Sequence, residues 1–328
     1  MIIRTSHVGS FPLPFSLENV SRIIDDLWRI GLSAPPYPQL RSFIDIFLDP
    51  LVRESILRRS SDFYFLVNKE EIKQLEHLEP VIPEAKYAIE YVRRKGYGFK
   101  WFRGPVTGVF TLASRIYVEK NIDKGFSATL LREKNLLTYL EHYVHKSLES
   151  LSKLGYNVLF IDEPVLGVIV GTRKIILDYK PEEIIEVINR VFDNIPGEHG
   201  IHVCGRISPR LFEILVNTDR LDILNFEFHD NPRNTESINA ELLASSDKKL
   251  SPGVASSKNP RIESVDEVKK LLMKIGELAD WRIDLVSADC GFSGLSVESG
   301  NPDEAYEIGL KKLRNIVLAV EDIVKQRI

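Results

Sequence analysis

The residues best suited to chemistry in this sequence are its two cysteines, Cys204 and Cys290, and a histidine two positions before the first of them. His202 and Cys204 lie in a short apolar run of the kind that forms β-strands. Side chains at positions i and i+2 of a strand point to the same side, so this imidazole and this thiol would share one face of a sheet. Zn²⁺ accepts imidazole and thiolate ligands together. The pair therefore predicts half of a zinc site.

Two further ligands are expected at the ends of later strands. Glu227 lies 23 residues beyond Cys204, and Cys290 lies 63 residues beyond Glu227. With His202 they complete a set of one nitrogen, one carboxylate oxygen and two sulfurs, which suits tetrahedral zinc. His229 competes with Glu227 as the ligand from its segment, and a cysteine near a barrel strand is more often a small buried apolar residue. The spacing alone leaves these alternatives open.

These residues belong to a regular alternation of short apolar runs and long amphipathic segments. The strand-like runs are 2–8, 64–67, 99–102, 158–161, 201–204, 223–228, 250–254 and 283–288. The helical patterns are 17–30, 83–95, 130–154, 181–191, 209–216, 265–279 and 302–326. First-turn prolines and a Ser264–Glu267 capping box mark several helix starts. The Pro-rich stretch 33–38 is expected to be a loop between helices.

Strands that alternate with helices of this length indicate βαβ units and a parallel sheet. Eight strand candidates favour an α/β fold with one (β/α)₈ TIM barrel and an N-terminal helical extension, with residues 1–328 forming a single catalytic zinc-binding domain. Polar residues follow the strands at Ser10, Thr107, Asp162, Glu227 and Asp289. The carboxyl ends of barrel strands form one face, where active sites are built, so these residues should converge there.

Composition excludes several classes of function. The 43 Lys and Arg residues are outnumbered by 47 Asp and Glu, so no basic field points to nucleic acid. The longest apolar stretch, 165–170, is far shorter than a membrane span, and the first residues do not resemble a signal peptide. Two cysteines are too few for a disulfide framework, which favours a reducing, cytoplasmic location. No P-loop, dinucleotide-binding, HExxH or GxSxG motif occurs.

Six short strings, in order along the chain, resemble the C-terminal catalytic barrel of cobalamin-independent methionine synthase. They are Val8-Gly9-Ser10-Phe11-Pro12, Gly104-Pro105-Val106-Thr107, Ile161-Asp162-Glu163-Pro164, His202-x-Cys204, Pro252-Gly253-Val254 and Asp289-Cys290-Gly291. They extend from Thr5 to about Gly291. The chain is most similar to the short core form of the family found mainly in archaea, which lacks the additional N-terminal barrel.

The resemblance implies a role for each matching residue. His202, Cys204, Glu227 and Cys290 would bind the catalytic zinc. Val8, Gly9 and Ser10 would hold the carboxylate of L-homocysteine, and Asp162 would take its ammonium group. A second ammonium-binding glutamate of the family aligns loosely with Glu70. The implied reaction is methyl transfer to the zinc-activated thiolate of homocysteine, which yields L-methionine.

Two departures from the family concern the methyl donor. Thr111, Leu112 and Ala113 occupy the region of the family's folate-stacking tryptophan, and Lys258 stands where the family has a proton-donating histidine. A tetrahydrofolate amine is a very poor leaving group without a general acid, whereas a reduced corrinoid needs no proton. The donor is therefore expected to be a methyl-corrinoid, free or protein-bound, or another pterin, rather than folylpolyglutamate. Lys258 is either the acid that replaces the histidine or a solvated loop lysine.

Three alternatives remain at this point. Alkyl transfer to another thiol, such as coenzyme M, would use the same zinc but would have no use for Asp162. A non-catalytic partner subunit of a methyltransferase complex would not need metal. A zinc hydrolase is disfavoured because two thiolates make zinc a weaker Lewis acid than three histidines do.

Overall fold

The computed structural model of the protein describes residues 2–327. Its helices are α1 (Leu17–Arg29), α2 (Asp45–Arg53), α3 (Pro83–Lys95), α4 (Val109–Ala113), α5 (Lys134–Leu154), α6 (Leu166–Ile169), α7 (Pro181–Val191), α8 (Pro209–Val216), α9 (Ala240–Ser245), α10 (Val265–Leu278) and α11 (Pro302–Arg327). Its strands are β1 (Leu57–Ser60), β2 (Phe63–Leu66), β3 (Arg103–Thr107), β4 (Ile116–Tyr117), β5 (Val158–Asp162), β6 (Glu198–Val203), β7 (Ile223–Glu227) and β8 (Lys249–Gly253). Short 3₁₀ helices lie in the connections.

Strands β3, β5, β6, β7 and β8 form a parallel sheet in that order. Three extended segments continue this sheet through isolated parallel bridges. Residues 283–287 pair with β8, residues 5–10 pair with Val286 and with residues 34–39, and Pro36 pairs with Arg103 of β3. The ring closes with eight parallel members in chain order, so the predicted (β/α)₈ barrel is confirmed.

The prediction of a loop at the Pro-rich stretch 33–38 is wrong, because this stretch is the second member of the barrel. Proline has no N–H and weakens the strand signal. Here the ladder uses the N–H groups of Ala34 and Gln39, which donate to the first segment at 2.9 Å. Pro35 contributes its carbonyl, which accepts the Arg103 N–H at 3.0 Å. The prolines therefore take acceptor positions and leave the pairing intact.

Two of the strand predictions are also corrected. The run 64–67 forms a strand, but β2 pairs antiparallel with β1 and parallel with β4 in a separate small sheet rather than in the barrel. The run 99–102 ends where β3 begins, so Gly104–Thr107 lies within the barrel strand and not in the loop after it. Pro105 interrupts the apolar periodicity there, which explains the misplaced boundary.

The helices follow their sequence signals closely. Pro83, Pro181 and Pro209 each occupy a first-turn position, and Ser264 and Glu267 form the predicted capping box. Helices α2 and α3, with the β1–β2 hairpin, lie between the second barrel member and β3, so the helical extension predicted at the N-terminus is instead an insertion between two barrel members. Within residues 2–327, no helix has the length and apolar character needed to span a membrane.

The amino-terminal end of the barrel is held by a buried ion pair. Arg4 Nη2 lies 2.7 Å from Asp284 Oδ2, and both side chains are at most 6 % exposed. Arg4 also bonds Glu198 at the start of β6, with 2.7 Å between Nη1 and Oε1. Burial alone would raise the pKa of Asp284, but the hydrogen bonds and charge of Arg4 outweigh it and hold that pKa below its usual value. Arg4 and its two carboxylate partners therefore join the first, fifth and eighth members of the barrel.

We expect Asp284→Asn to lower the free energy of unfolding by about 3 kcal/mol at pH 7, because it leaves a buried guanidinium without its best partner. The pKa of Asp284 is depressed in the folded state, so this contribution is complete above the unfolded pKa of about 4 and is lost as pH falls through the folded pKa. Urea denaturation at pH 7 and pH 3 should show a smaller gap between wild type and variant at pH 3. Asp303→Asn, which breaks an exposed pair with Arg22, should change stability by less than about 1 kcal/mol and serves as the control. A deficit of equal size at both pH values would refute the assignment.

Candidate metal centre

The structure brings His202, Cys204 and Cys290 together at the carboxyl-terminal face of the barrel. The Nε2 atom of His202 lies 2.9 Å from Cys204 Sγ, and the two sulfurs are 3.1 Å apart. All three ligand atoms lie within 4.8 Å of one another, and both cysteines are free thiols. Zn–S and Zn–N bonds of about 2.0–2.3 Å place tetrahedral ligand atoms less than about 4 Å apart. The trio therefore fits a single divalent ion.

The electrostatics of the trio also favour a cation. The hydrogen bond from Cys204 lowers the pKa of Cys290 well below its usual value, and the same bond raises the pKa of Cys204. Burial opposes the charged form of His202, but its bond to Cys290 and the charge there outweigh this and raise its pKa. One thiolate is thus stabilised by its neighbours, and a second thiolate would repel it. A divalent cation would relieve that repulsion, which is the chemistry that this donor set suits.

Glu227 ends β7 beside β6, is 2 % exposed, and accepts a hydrogen bond from the side-chain amide of Asn231. It is not one of the trio whose ligand atoms lie within 4.8 Å of one another. Burial raises its pKa, and Cys290 raises it further, while His202 and Lys258 oppose the change. The charges of Cys290 and His202 therefore act on the Glu227 carboxylate.

Asp162 ends β5 directly beside His202 in the register of the sheet. It is 5 % exposed, and its Oδ1 atom is buried without a hydrogen-bond partner. Burial raises the pKa of this carboxyl to about 6, against the opposing charges of His202 and Arg103. An unpaired buried acceptor costs free energy unless something binds to it. Asp162 is therefore suited to accept a ligand's N–H groups.

The segment Val8–Ser10 lies against the loop that carries Cys290. The amide of Phe292 donates to the Ser10 carbonyl at 2.7 Å, and a side chain on Gly291 would overlap the Ser10 hydroxyl. Gly9 has a φ of +143°, where a Cβ would be strained and would lie 2.9 Å from Gln39 Oε1. Glycines at positions 9 and 291 thus let these two loops meet at the same face.

Lys258 belongs to a loop after β8 that is fixed by its own hydrogen bonds. The Ser256 hydroxyl accepts the amides of Lys258 and Asn259 at 3.2 and 3.0 Å, and it donates to Asp230 Oδ2 at 2.8 Å. Lys258 is exposed, and its positive charge opposes the rise in the pKa of Glu227. Lys258 therefore lies on the rim of the site, on the side of Glu227.

Glu70 is not brought into this group of residues by any contact that the structure shows. It follows β2 of the small separate sheet, its side chain is 77 % exposed, and its Oε2 atom pairs with Lys73 Nζ at 2.5 Å. Its assignment to substrate binding remains an untested prediction with no support from its surroundings.

The region without the expected tryptophan is closed by a buried carboxylate. Glu163 is fully buried and accepts the amides of Phe110 and Thr111 at the start of α4, at 2.9 and 2.8 Å, together with the Thr111 hydroxyl at 2.7 Å. Burial raises its pKa to about 7 against these bonds. Leu112 and Ala113 are also buried, so residues 111–113 offer no aromatic surface for a flat ligand.

Sequence reasoning missed a polar network next to the trio. Asp289 accepts backbone amides of residues 228, 229 and 230 at 3.0, 3.0 and 2.6 Å. His229 contacts Asp230 at 2.9 Å through Nδ1 and Glu263 at 3.5 Å through Nε2, so it lies in this network and not with Cys204 and Cys290. The sequence placed Asp289 at a strand end next to Cys290, but it gave no sign of the hydrogen bonds from residues 228–230. These hydrogen bonds hold the loop that contains Cys290 against the loop that follows β7.

A closed parallel barrel with a thiol–imidazole cluster at the carboxyl ends of its strands defines an α/β-barrel enzyme. Residues 103–303 match the family model described as the catalytic domain of cobalamin-independent synthase. The chain belongs to this family and is a methyltransferase of the cobalamin-independent methionine synthase type.

Two archaeal relatives are distant in sequence but align with almost the whole chain. It is 24 % identical to a methionine synthase of Methanocaldococcus jannaschii over 97 % of this chain and 98 % of the relative. It is 26 % identical to a methionine synthase of Methanothermobacter marburgensis over 97 % and 99 %. Among solved structures it is similar to a B12-independent methionine synthase of Shewanella sp. W3-18-1, with a TM-score of 0.66, 16 % identity and coverage of 100 % and 99 %. That likeness supports the fold.

Proposed function

We propose that this protein is a zinc-dependent methyltransferase that makes L-methionine from L-homocysteine, and that the chain forms one catalytic domain. The observation that supports this most is the convergence of His202, Cys204 and Cys290 beside a buried, unpartnered Asp162. The trio suits a metal that activates sulfur, and the carboxylate suits an ammonium group. An amino-acid thiol carries both the sulfur and the ammonium group.

His202, Cys204 and Cys290 would hold the zinc, with Glu227 as the fourth ligand from the adjacent strand. Bound zinc would supply the Lewis acidity that converts a thiol, with a pKa near 8.5, to a nucleophilic thiolate at neutral pH. Asp162 would accept the ammonium group of the substrate, and the segment Val8–Ser10 would hold its carboxylate. Fixing both ends of the amino acid orients its sulfur toward the methyl donor, and such positioning accounts for a large part of catalysis.

The donor side of the site favours a methyl-corrinoid or another pterin over folylpolyglutamate. Residues 111–113 are buried around Glu163 and provide no stacking surface. Lys258, whose charge acts on Glu227, would serve as the acid if the leaving group needs a proton. When a methyl group is transferred from cobalt, the departing reduced corrinoid needs no proton. A corrinoid donor would therefore make Lys258 dispensable.

Transfer of a labelled methyl group tests the proposal directly. We expect zinc-loaded protein to label homocysteine from methylcobalamin faster than from methyl-tetrahydrofolate triglutamate. Removal of zinc by a chelator should abolish transfer, and stoichiometric zinc should restore it. Lys258→Ala should leave transfer from methylcobalamin within about 3-fold of wild type, because no proton is required.

Three outcomes would count against parts of this proposal. Equal rates with the two donors would remove the argument about the donor. Labelling of coenzyme M in preference to homocysteine would favour the alternative acceptor. Full activity after complete zinc removal, or no transfer from any donor by zinc-loaded protein, would contradict the zinc-dependent function.

A further inference from the structure

Arg103, the first residue of β3, is fully buried inside the barrel and has no carboxylate partner within residues 2–327. Its Nη2 atom donates to Asn225 Oδ1 at 3.2 Å, while its Nε and Nη1 atoms have no partner. The buried Arg4 at the amino-terminal end is different, because two carboxylates neutralise it. A buried charge with no directly bonded counter-ion is costly, and the charges of Asp162 and Cys290 offset that cost only from a distance. The cost of burying this charge suggests that the charge has a role in the function of the barrel.

Phe160, Gly200 and Asn225 form a site for this guanidinium inside the barrel, which we call its seat. Its carbon lies 3.8 Å from the centroid of the Phe160 ring, a cation–π contact. The ring can lie there because position 200 is glycine, where any Cβ would overlap it. The Asn225 amide donates to the Ser251 carbonyl at 2.7 Å, and this bond turns its oxygen toward Arg103. Three neighbouring strands therefore cooperate to hold the charge in one place.

This seat lies directly beneath the reaction site. Phe160 is two residues before Asp162 on β5, and Asn225 is two residues before Glu227 on β7. Residues two apart on a strand share a face, so Asp162 and Glu227 form the layer above the guanidinium. The barrel interior here is buried, with the apolar side chains of Ala34, Val158, Ile223 and Leu285 beside the buried hydroxyls of Ser251 and Ser287. A low-dielectric surrounding of this kind lets a charge act over a longer distance than in water.

The charge acts on two buried groups near the site. Arg103 opposes the rise in the pKa of Asp162, and it adds to the lowering of the pKa of His7 that burial causes. Burial lowers the pKa of Arg103 itself only to about 10, so the guanidinium stays protonated at neutral pH. The interior beneath the trio is therefore permanently positive.

We propose that Arg103 is the fixed counter-charge of the reaction site and makes it prefer an acceptor bound as a thiolate over the neutral thioether product. This inference rests on the proposed function. When the thiol binds, its S–H bond breaks, the sulfur keeps the electron pair and the proton passes to solvent, so the bound acceptor adds one negative charge. Methionine, the methylated product, adds none at sulfur. Arg103 acts through its charge without a contact to the acceptor, which makes it a positioning residue.

Calorimetric titration of zinc-loaded protein with homocysteine and with methionine separates this role from a structural one. We expect Arg103→Met to weaken homocysteine binding about 10- to 100-fold and methionine binding less than about 3-fold, because only the thiolate is stabilised by the lost charge. Arg103→Lys keeps the charge and should restore most of the difference. Arg103→Gln, which removes the charge but keeps polar atoms, should behave like Arg103→Met and substitutes for it if the methionine variant does not fold.

Arg4→Met is the matched control, since it removes a buried arginine far from the site. It should lower the melting temperature and leave the ratio of the two affinities unchanged. Equal weakening of both ligands in the charge-removing variants, or no weakening of either, would overturn the inference while wild-type binding upholds the proposed function. Failure of zinc-loaded wild type to bind homocysteine would instead overturn the proposed function.

Discussion

Cys290→Ser will reduce methyl transfer to homocysteine by at least about 100-fold and will weaken zinc binding. Cys290 is the sulfur of the trio whose anionic form its neighbours stabilise, through bonds from Cys204 and His202. A serine hydroxyl does not ionise at neutral pH and is a harder ligand, so the variant loses an anionic donor in an otherwise preserved pocket. Zinc content after dialysis and the rate of label transfer check the result.

Cys290→Ala distinguishes a ligand from a packing residue. Alanine is a good substitute for a small buried apolar cysteine and should be nearly neutral if packing is the whole role. As a ligand replacement it should be as inactive as serine, with a far-ultraviolet circular dichroism spectrum like that of wild type. Activity within about 3-fold of wild type in either variant would contradict the zinc–thiolate mechanism.

Asp162→Asn will raise KM for homocysteine and lower kcat/KM by about 100-fold or more, with zinc content unchanged. The reason is the unpartnered Oδ1 atom of this buried carboxyl, which in our proposal receives the substrate ammonium group. An amide of the same shape keeps the packing but presents a neutral group. Transfer to coenzyme M, which has a thiol but no amino group, should be affected much less.

Glu163→Gln is the matched control for this prediction. It changes the next residue, whose carboxylate is equally buried but is fully occupied by the amides and hydroxyl at the start of α4. This variant should lower the melting temperature without a selective loss for amino-acid thiols. If Asp162→Asn reduces transfer to homocysteine and to coenzyme M by the same factor, the ammonium-binding role is wrong.

Local signals were enough to predict much of the fold. Pro83, Pro181 and Pro209 begin helices because a first-turn proline loses no hydrogen bond, and these starts need no tertiary information. The trio was also predictable, since His202 and Cys204 are two apart on a strand and Cys290 follows the last barrel member. Because a closed barrel places the carboxyl ends of its strands on one face, residues at these ends lie close together even when they are far apart in the sequence.

Other features depend on contacts that leave no local pattern. The second barrel member is rich in proline, and its pairing is decided by which neighbours supply the N–H groups. Glu70 follows a strand of the small sheet, and the order of sheets is not encoded in periodicity. No sequence pattern marks Arg103 as a buried residue, and its enclosure depends on the glycine at position 200 and the Phe160 ring.

The closure of the barrel has a consequence for biogenesis. Residues 5–10 pair on one side with residues 34–39 and on the other with the segment around Val286, so during synthesis the first barrel member stays half-paired until the last one is available. Loop-closure entropy makes such late, distant pairing slow and leaves an open edge exposed in the meantime. The second thiol follows that last segment. His202, Cys204 and Cys290 therefore come together only when the ring is complete.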